Sequence, residues 1–421
     1  MKRSSSTDEG GLRPHSSSVK HRTRARYALA ALVPLLAVSS WASIGAASAR
    51  VVSTSLPALP RTWPTDRFAI GMADGPGDAA TLRRAAPFAF RYQYLSGGVN
   101  TGSGWTTWNP DGTFVTRYDD ESFAADITPV FSYYMLLQSL PTGTDEGVVD
   151  LAHLQNPSLM RAYWSQVRLF FRRARGSRPV VLQVEPDLWG YLEQANAVVL
   201  ARSFARELVA LRNALAPNVL LAYHMSEWGT GHDAFTGNPS DATVRSYAAR
   251  SAAFYRSLGT HFDIAFTDLS DRDAGYYEHV EHRNTWFSAQ DFAHAALYDA
   301  TFVRLAGVRL VVWQVPLGNT VMRSENDTWD HYQDNRVQWY LGTNWRAHLG
   351  PLVKAGVIAL LFGRGADGNT CACDAAHDGV TNPLPIDGNV GIATSPDDDG
   401  GYFKSRVALF YKAGGLALLP T

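Results

Sequence analysis

Cysteine is nearly absent. The chain has 421 residues and two cysteines, both in the tripeptide Cys371-Ala372-Cys373. A disulfide framework is excluded, because a bridge across one residue is strained. A metal site built from Cys371, Cys373, Asp374 and His377 has no recognised zinc spacing, and a local loop feature is the expectation. Nucleophile elbows of the Gly-x-Ser-x-Gly type and His-Glu-x-x-His motifs are also missing, which argues against a serine esterase or a metal hydrolase. No basic stripe exists, so nucleic acid is not an expected partner. Long apolar runs are lacking too. The run Tyr27–Val38, interrupted by Pro34, is too short to span a bilayer.

What is present first concerns the N-terminus. A polar, basic stretch (1–26) precedes that apolar run, and Ala47-Ser48-Ala49 follows with the small-x-small pattern of a signal-peptidase site. Residues 1–49 are expected to be a secretory signal peptide, with an uncleaved membrane anchor as the other reading. Cleavage takes seven of the 38 Lys/Arg and two of the 39 Asp/Glu, a balance of −6 for what remains. The expectation is a secreted, extracellular, monomeric protein with no membrane contact after cleavage. Twelve tryptophans and 12% aromatic residues suit a neutral partner such as an oligosaccharide or polysaccharide.

The body of the chain alternates two patterns. Residues 50–66 read as a Pro- and Thr-rich lead-in. Apolar strand-like runs then occur at 68–74, 88–95, 127–136, 179–187, 219–228, 262–271, 309–317 and 357–365. Between them, helical spacing predicts helices at 158–175, 197–215, 241–258, 286–306, 335–355 and 401–414, with glycines at several C-terminal ends. Eight such alternations over 67–421 predict a single-domain α/β fold, a (β/α)8 TIM-type barrel. An open doubly wound sheet is the rival, and Asp74–Asp78 is too loose for its phosphate turn. The last βα connection, 363–401, is long for a loop. It is read as a rim lid. Calcium on its Asp and Asn oxygens is a weaker option, and no other cofactor or metal is expected.

A barrel places its chemistry at the C-terminal strand ends. Those ends carry Asp74, Gln93, Tyr94, Tyr134, Glu185, Asp187, His224, Glu227, Asp268, Asp271, Trp313, Gln314, Arg364 and Asp367. Alternation along the strands puts Arg91, Gln93, Gln183, Glu185 and His224 inside. Asp268 shares the parity of Ile264 and Phe266 and needs a twist at the strand end to face in. Trp105, Trp108, Trp189, Trp228 and Trp313 lie beside strand ends. Indoles stack on sugar rings while acids and amides take the hydroxyls. Core positions are the plain alternative for at least two of these indoles. Glu185, Asp268 and Glu227 are the candidate catalytic residues. Asp74, Gln93, Trp105, Trp108, Tyr134, Asp187, Trp189, His224, Trp228, Trp313 and Gln314 are the candidate substrate contacts.

These residues make the chain resemble the barrel-type glycoside hydrolases. Glu185-Pro186 is similar to the Asn-Glu-Pro of the cellulase-like clan, with Val184 in place of Asn. The resemblance implies an acid/base role for Glu185. That clan's nucleophilic Glu on strand seven is replaced here by Trp313-Gln314. Residues 181–185 and 311–315 resemble strands of the lysozyme-like muramidase barrels, with Gln183 in place of Asp. Residues 185–192 resemble the Glu-Pro-Asp strand of inverting cellobiohydrolases, although the Asp-rich segment 270–273 follows that strand instead of preceding it. The implied function is hydrolysis of a polysaccharide or cell-wall glycan by an inverting acid/base pair. A non-catalytic, lectin-like barrel is the alternative.

Overall fold

The computed structural model describes residues 55–279, 281–318, 334–363 and 402–420. Residues 1–54 and 364–401 lie outside that set. The signal segment, the start of the lead-in, the last loop, both cysteines, Arg364 and Asp367 fall there.

Eight parallel strands close on themselves in sequence order. They are β1 (Ala69–Ala73), β2 (Phe90–Ser96), β3 (Thr128–Tyr134), β4 (Val180–Val184), β5 (Val219–His224), β6 (Ile264–Asp268), β7 (Leu310–Pro316) and β8 (Val357–Gly363). Closure comes from β8 pairing with β1, Ile70 opposite Leu360. The fold is a (β/α)8 barrel, and the open sheet is excluded.

The helices form where sequence and packing agree. Pro157–Ala174 starts at a Pro behind an Asn156 side chain that accepts from the Ser158 and Leu159 amides, a favourable N-terminus. It buries Leu159, Met160, Tyr163, Val167, Phe170 and Phe171, one face at helical spacing. Truncating Phe170 to Ala would cost about 3–5 kcal/mol. Ala289–Ala306 starts later than the periodicity suggests because Ser288 and Asp291 form a capping box. The helix expected at 335–355 is two, Arg336–Leu341 and Trp345–Ala355. Gly342 is extended between them, where glycine is a poor helix former.

The N-terminal end of the barrel is closed by the lead-in and the tail. Arg67 bridges Ala417, and the buried Arg309 guanidinium donates to the Pro57 and Leu419 carbonyls. The opposite end is therefore the open one. Among the described residues no helix is long and apolar enough to cross a membrane.

Candidate active site

The lumen begins with a polar ladder. Tyr94, Ser132 and Gln183 stand in register across β2, β3 and β4. Ser132 Oγ lies 2.7 Å from Gln183 Oε1, so the hydroxyl donates. Gln183 Nε2 lies 2.8 Å from His224 Nδ1. The amide is a donor, so Nδ1 accepts and the ring proton sits on Nε2. Nε2 is 3.0 Å from Asp268 Oδ1 and donates to it. Ser132, Gln183 and His224 are buried, and an orphaned member would cost about 1–3 kcal/mol. The ladder thus holds Asp268 at the mouth.

Aromatics wall the other side. Trp313 meets Tyr92 and Tyr94 with centroids 5.9 Å apart in each case, and the His224 ring edge-on at 5.7 Å. The pairing of β7 with β8 shifts register between Val312 and Val315, and Gln314 has φ +54°. This bulge lets two consecutive residues reach the cup. Gln314 lies 3.3 Å from the Tyr94 hydroxyl and 3.4 Å from the Asp271 carbonyl. A Cβ on Gly363 would stand 1.7 Å from the Tyr92 hydroxyl, so only glycine lets that phenol lie against β8.

An acid cluster fills the β3–β4 side of the mouth. Asp187 Oδ2 lies 2.8 Å, and Glu146 Oε1 3.0 Å, from the same Tyr134 hydroxyl. Burial raises the Asp187 carboxyl, and the Asp268 charge raises it further. Burial also raises Glu146, helped by the Asp187 charge. Glu227, at the start of the short 3-10 turn Glu227–Thr230, accepts from the Ala234 amide at 3.2 Å. Burial, with Asp233 beside it, lifts its carboxyl to about 8.

Several expected orientations are corrected. Glu185 lies past the end of β4 with φ +45°, which turns its side chain out of the lumen. It is 1% exposed. Its carboxyl accepts from the Met135 amide at 3.0 Å and from the Leu136 amide at 3.2 Å, and lies near Tyr163 on the outer helix. Burial lifts it to about 8. On β2 the parity is reversed. Arg91 faces the helix Thr113–Ala124, bonding Ser122, Glu121 and Asp74 at 2.7, 3.1 and 2.8 Å. Tyr92 and Tyr94 take the inside, and Gln93 accepts from the Tyr94 amide at 2.9 Å. Asp74 is therefore tied to Arg91 outside the cup. On β6 the parity is also reversed. Thr267 lies beside Met225 on the outer face, so Ile264, Phe266 and Asp268 face in without any twist.

The indoles divide. Trp105 and Trp189 are fully buried. The Trp189 indole donates to the Val184 carbonyl at 2.8 Å and packs on Phe204, Tyr223 and Phe262. Trp105 packs edge-on to Tyr133. Trp313 lies in the cup wall, 4% exposed. Trp228 sits half-buried on the rim against Tyr191, centroids 4.8 Å apart, and Trp108 is 49% exposed against Phe114.

Glu146 and Tyr191 were not anticipated. Asp145 caps the Val148 amide and Glu146 opens the helix Glu146–Leu154, so the sequence there reads as an ordinary acidic helix start. Among the described residues no group of three His, Cys, Asp or Glu is arranged to hold a metal ion.

Fold and site together define a closed (β/α)8 barrel with acids and aromatic rings gathered at its open end. No family model and no curated protein matches the chain. Solved structures do. An exo-β-1,4-mannosidase from Opitutaceae bacterium strain TAV5 superposes with TM-score 0.50 at 11% identity over 84% of this chain, which spans 61% of that protein. The catalytic domain of an endo-β-1,4-mannanase from Bacillus sp. JAMB-750 gives 0.49 at 13% identity, covering 82% and 86% of the two chains. A D-psicose 3-epimerase from Clostridium cellulolyticum H10 gives 0.39 at 9% identity, covering 82% and 99%. These likenesses concern the fold.

Proposed function

We propose that the protein is an exported glycoside hydrolase acting on a polysaccharide or cell-wall glycan, with inversion at the anomeric carbon. The observation that carries this reading is the pair Asp187 and Asp268 at one barrel mouth, each tied to a separate hydrogen-bond system. Asp187 is the general acid, since burial keeps its proton and the Asp268 charge adds to the effect. Asp268 is the general base, oriented by His224, with Glu227 as the second candidate. Their strands are two apart, a backbone separation of roughly 9–10 Å. Side chains leaning inward suit the about 6.5–9.5 Å gap that admits a water. Asp187 protonates the glycosidic oxygen as the bond breaks. Asp268 takes a proton from the attacking water. The end of β7 offers Trp313 and Gln314 and no carboxylate, which favours inversion over a covalent intermediate.

The solved barrels of similar fold include proteins named as mannanases and a mannosidase, so β-1,4-linked mannans head the trial panel, followed by glucans and cell-wall glycans. Reducing ends released over time support the enzyme. Proton NMR of the first product should show the anomer opposite to that of the substrate. Binding without release would move the reading to a lectin-like barrel.

A further inference from the structure

The contact between Tyr134 and its two carboxyl neighbours has a consequence in proton count. A phenol has one proton and donates one hydrogen bond. Its oxygen lies 2.8 Å from Asp187 Oδ2 and 3.0 Å from Glu146 Oε1. Two ionised carboxylates cannot both be satisfied by that single proton. The second contact is a hydrogen bond only if one carboxyl is protonated and donates to the phenol oxygen. Tyr191 also lies beside Glu146, which is partly exposed, in reach of solvent.

We infer that Asp187 and Glu146 share one proton through the Tyr134 hydroxyl, with Glu146 as the port through which solvent returns a proton to Asp187. After Asp187 has given the shared proton to the leaving group, Glu146 takes up from solvent a proton equivalent to the one Asp268 releases; its O–H bond then breaks and that proton goes to the Tyr134 oxygen. The Tyr134 proton goes at the same time to Asp187. The negative charge moves from Asp187 to Glu146, and no other reactant is consumed. Glu146 and Tyr134 are positioning residues here, acting through Asp187.

The surroundings push the same way. Asp150 on the helix of Glu146, Asp268 on β6 and Asp271 beyond it all face the pair as acids, and the Asp271 charge is offset by Arg272. His224 on β5 faces Asp268, with its other ring nitrogen held by Gln183. Tyr191 on the helix Leu188–Gln194 lies beside Glu146. Glu185 lies behind, its charge felt by Asp150. With so many acids and few cations, one proton retained on the pair at neutral pH is favoured over two charges.

The relay role rests on the hydrolase reading, whereas the shared proton does not. The test therefore uses the full chain without any glycan. Side-chain carboxyl carbons of Asp and Glu are labelled with carbon-13, and their NMR shifts are followed from acid to alkaline pH. Asp187→Asn and Glu146→Gln assign the two signals. In the wild type both signals should report the same two steps. In Tyr134→Phe and in Glu146→Gln the Asp187 signal should collapse to one step, moved by about one pH unit or more. Independent single steps in the wild type, or an Asp187 curve unchanged by Glu146→Gln, overturn the inference. If Tyr134→Phe does not fold, Glu146→Gln decides alone. A shared proton without glycan release would overturn the hydrolase reading and leave the proton sharing intact.

Discussion

His224 donates from Nε2 to Asp268 at 3.0 Å, while its other ring nitrogen receives the Gln183 amide at 2.8 Å. The imidazole is thereby fixed in one tautomer, and the carboxylate it holds faces the open end of the barrel. Removing the carboxylate charge tests its role as base. Asp268→Asn should lower turnover by about 100-fold or more and leave glycan binding within a few-fold. His224→Ala should fall between that variant and the wild type, since Asp268 remains but swings free. Turnover in Asp268→Asn close to that of the wild type would move the base to Glu227.

Asp187 and Glu185 are two residues apart and face different surroundings, so their neutral replacements should separate. Asp187→Asn should abolish most turnover while the urea midpoint changes little. Glu185→Gln should do the reverse. The Met135 and Leu136 amides need an acceptor, and a side-chain amide turned the wrong way leaves one of them unpaired, at about 1–3 kcal/mol. Urea unfolding and reducing-end release on the two purified variants give the comparison. Loss of turnover in Glu185→Gln without loss of stability would restore Glu185 as the acid.

The sequence made the barrel legible because each strand is a short apolar run and each long helix has one apolar face. It also gathers polar and aromatic residues at the C-terminal strand ends, the open end of the barrel. Inside against outside was harder, for a physical reason. Strands of a parallel barrel are buried on both faces, so apolarity does not mark the outer one. Ile264 and Phe266 therefore look outward from sequence, and Asp268 with them. Alternation alone puts Arg91 and Gln93 inside, with nothing in the strand to decide between the two parities, yet Glu121, Ser122 and Asp74 satisfy Arg91 on the helix side. The turn at Glu185 needs a positive φ just before a proline, which local preference disfavours. No composition signal announces it. Asp187, one helix cap further on, is what that turn delivers to the mouth.

The Arg91 cluster gives a stability prediction. The guanidinium is buried, lies 3.9 Å over the Tyr118 ring and pairs with Asp74 and Glu121. Burial raises the Asp74 carboxyl to about 6 against the pull of Arg91. Arg91→Met leaves Asp74 buried without its cation and should cost about 3–5 kcal/mol. Urea unfolding should show the loss, and turnover per folded molecule should persist, since the cluster lies outside the cup. Sugar affinity falling in step with stability would instead bring Asp74 back among the substrate contacts.

Asp299 sets a pH dependence that has nothing to do with catalysis. It is buried in the helix Ala289–Ala306, and neither carboxyl oxygen has a hydrogen-bond partner among the described residues. Burial lifts the carboxyl from the model-compound 3.8 to about 8. The sign follows from linkage. Between those two values the folded state holds a proton that the unfolded chain has released. Stability is therefore full below about pH 4 and drains away as pH rises toward 8. Glu185 and Glu227, lifted to about 8 by burial as well, add slopes of the same sign. Asp299→Asn keeps the shape of the protonated acid and cannot ionise. Its melting temperature should fall less than that of the wild type between pH 5 and pH 8, by roughly 3 °C or more. Calorimetry at the two pH values and matched ionic strength reads the difference. Equal falls in the two proteins would mean that Asp299 ionises in the folded state at no cost, and that its site is more polar than its neighbours show.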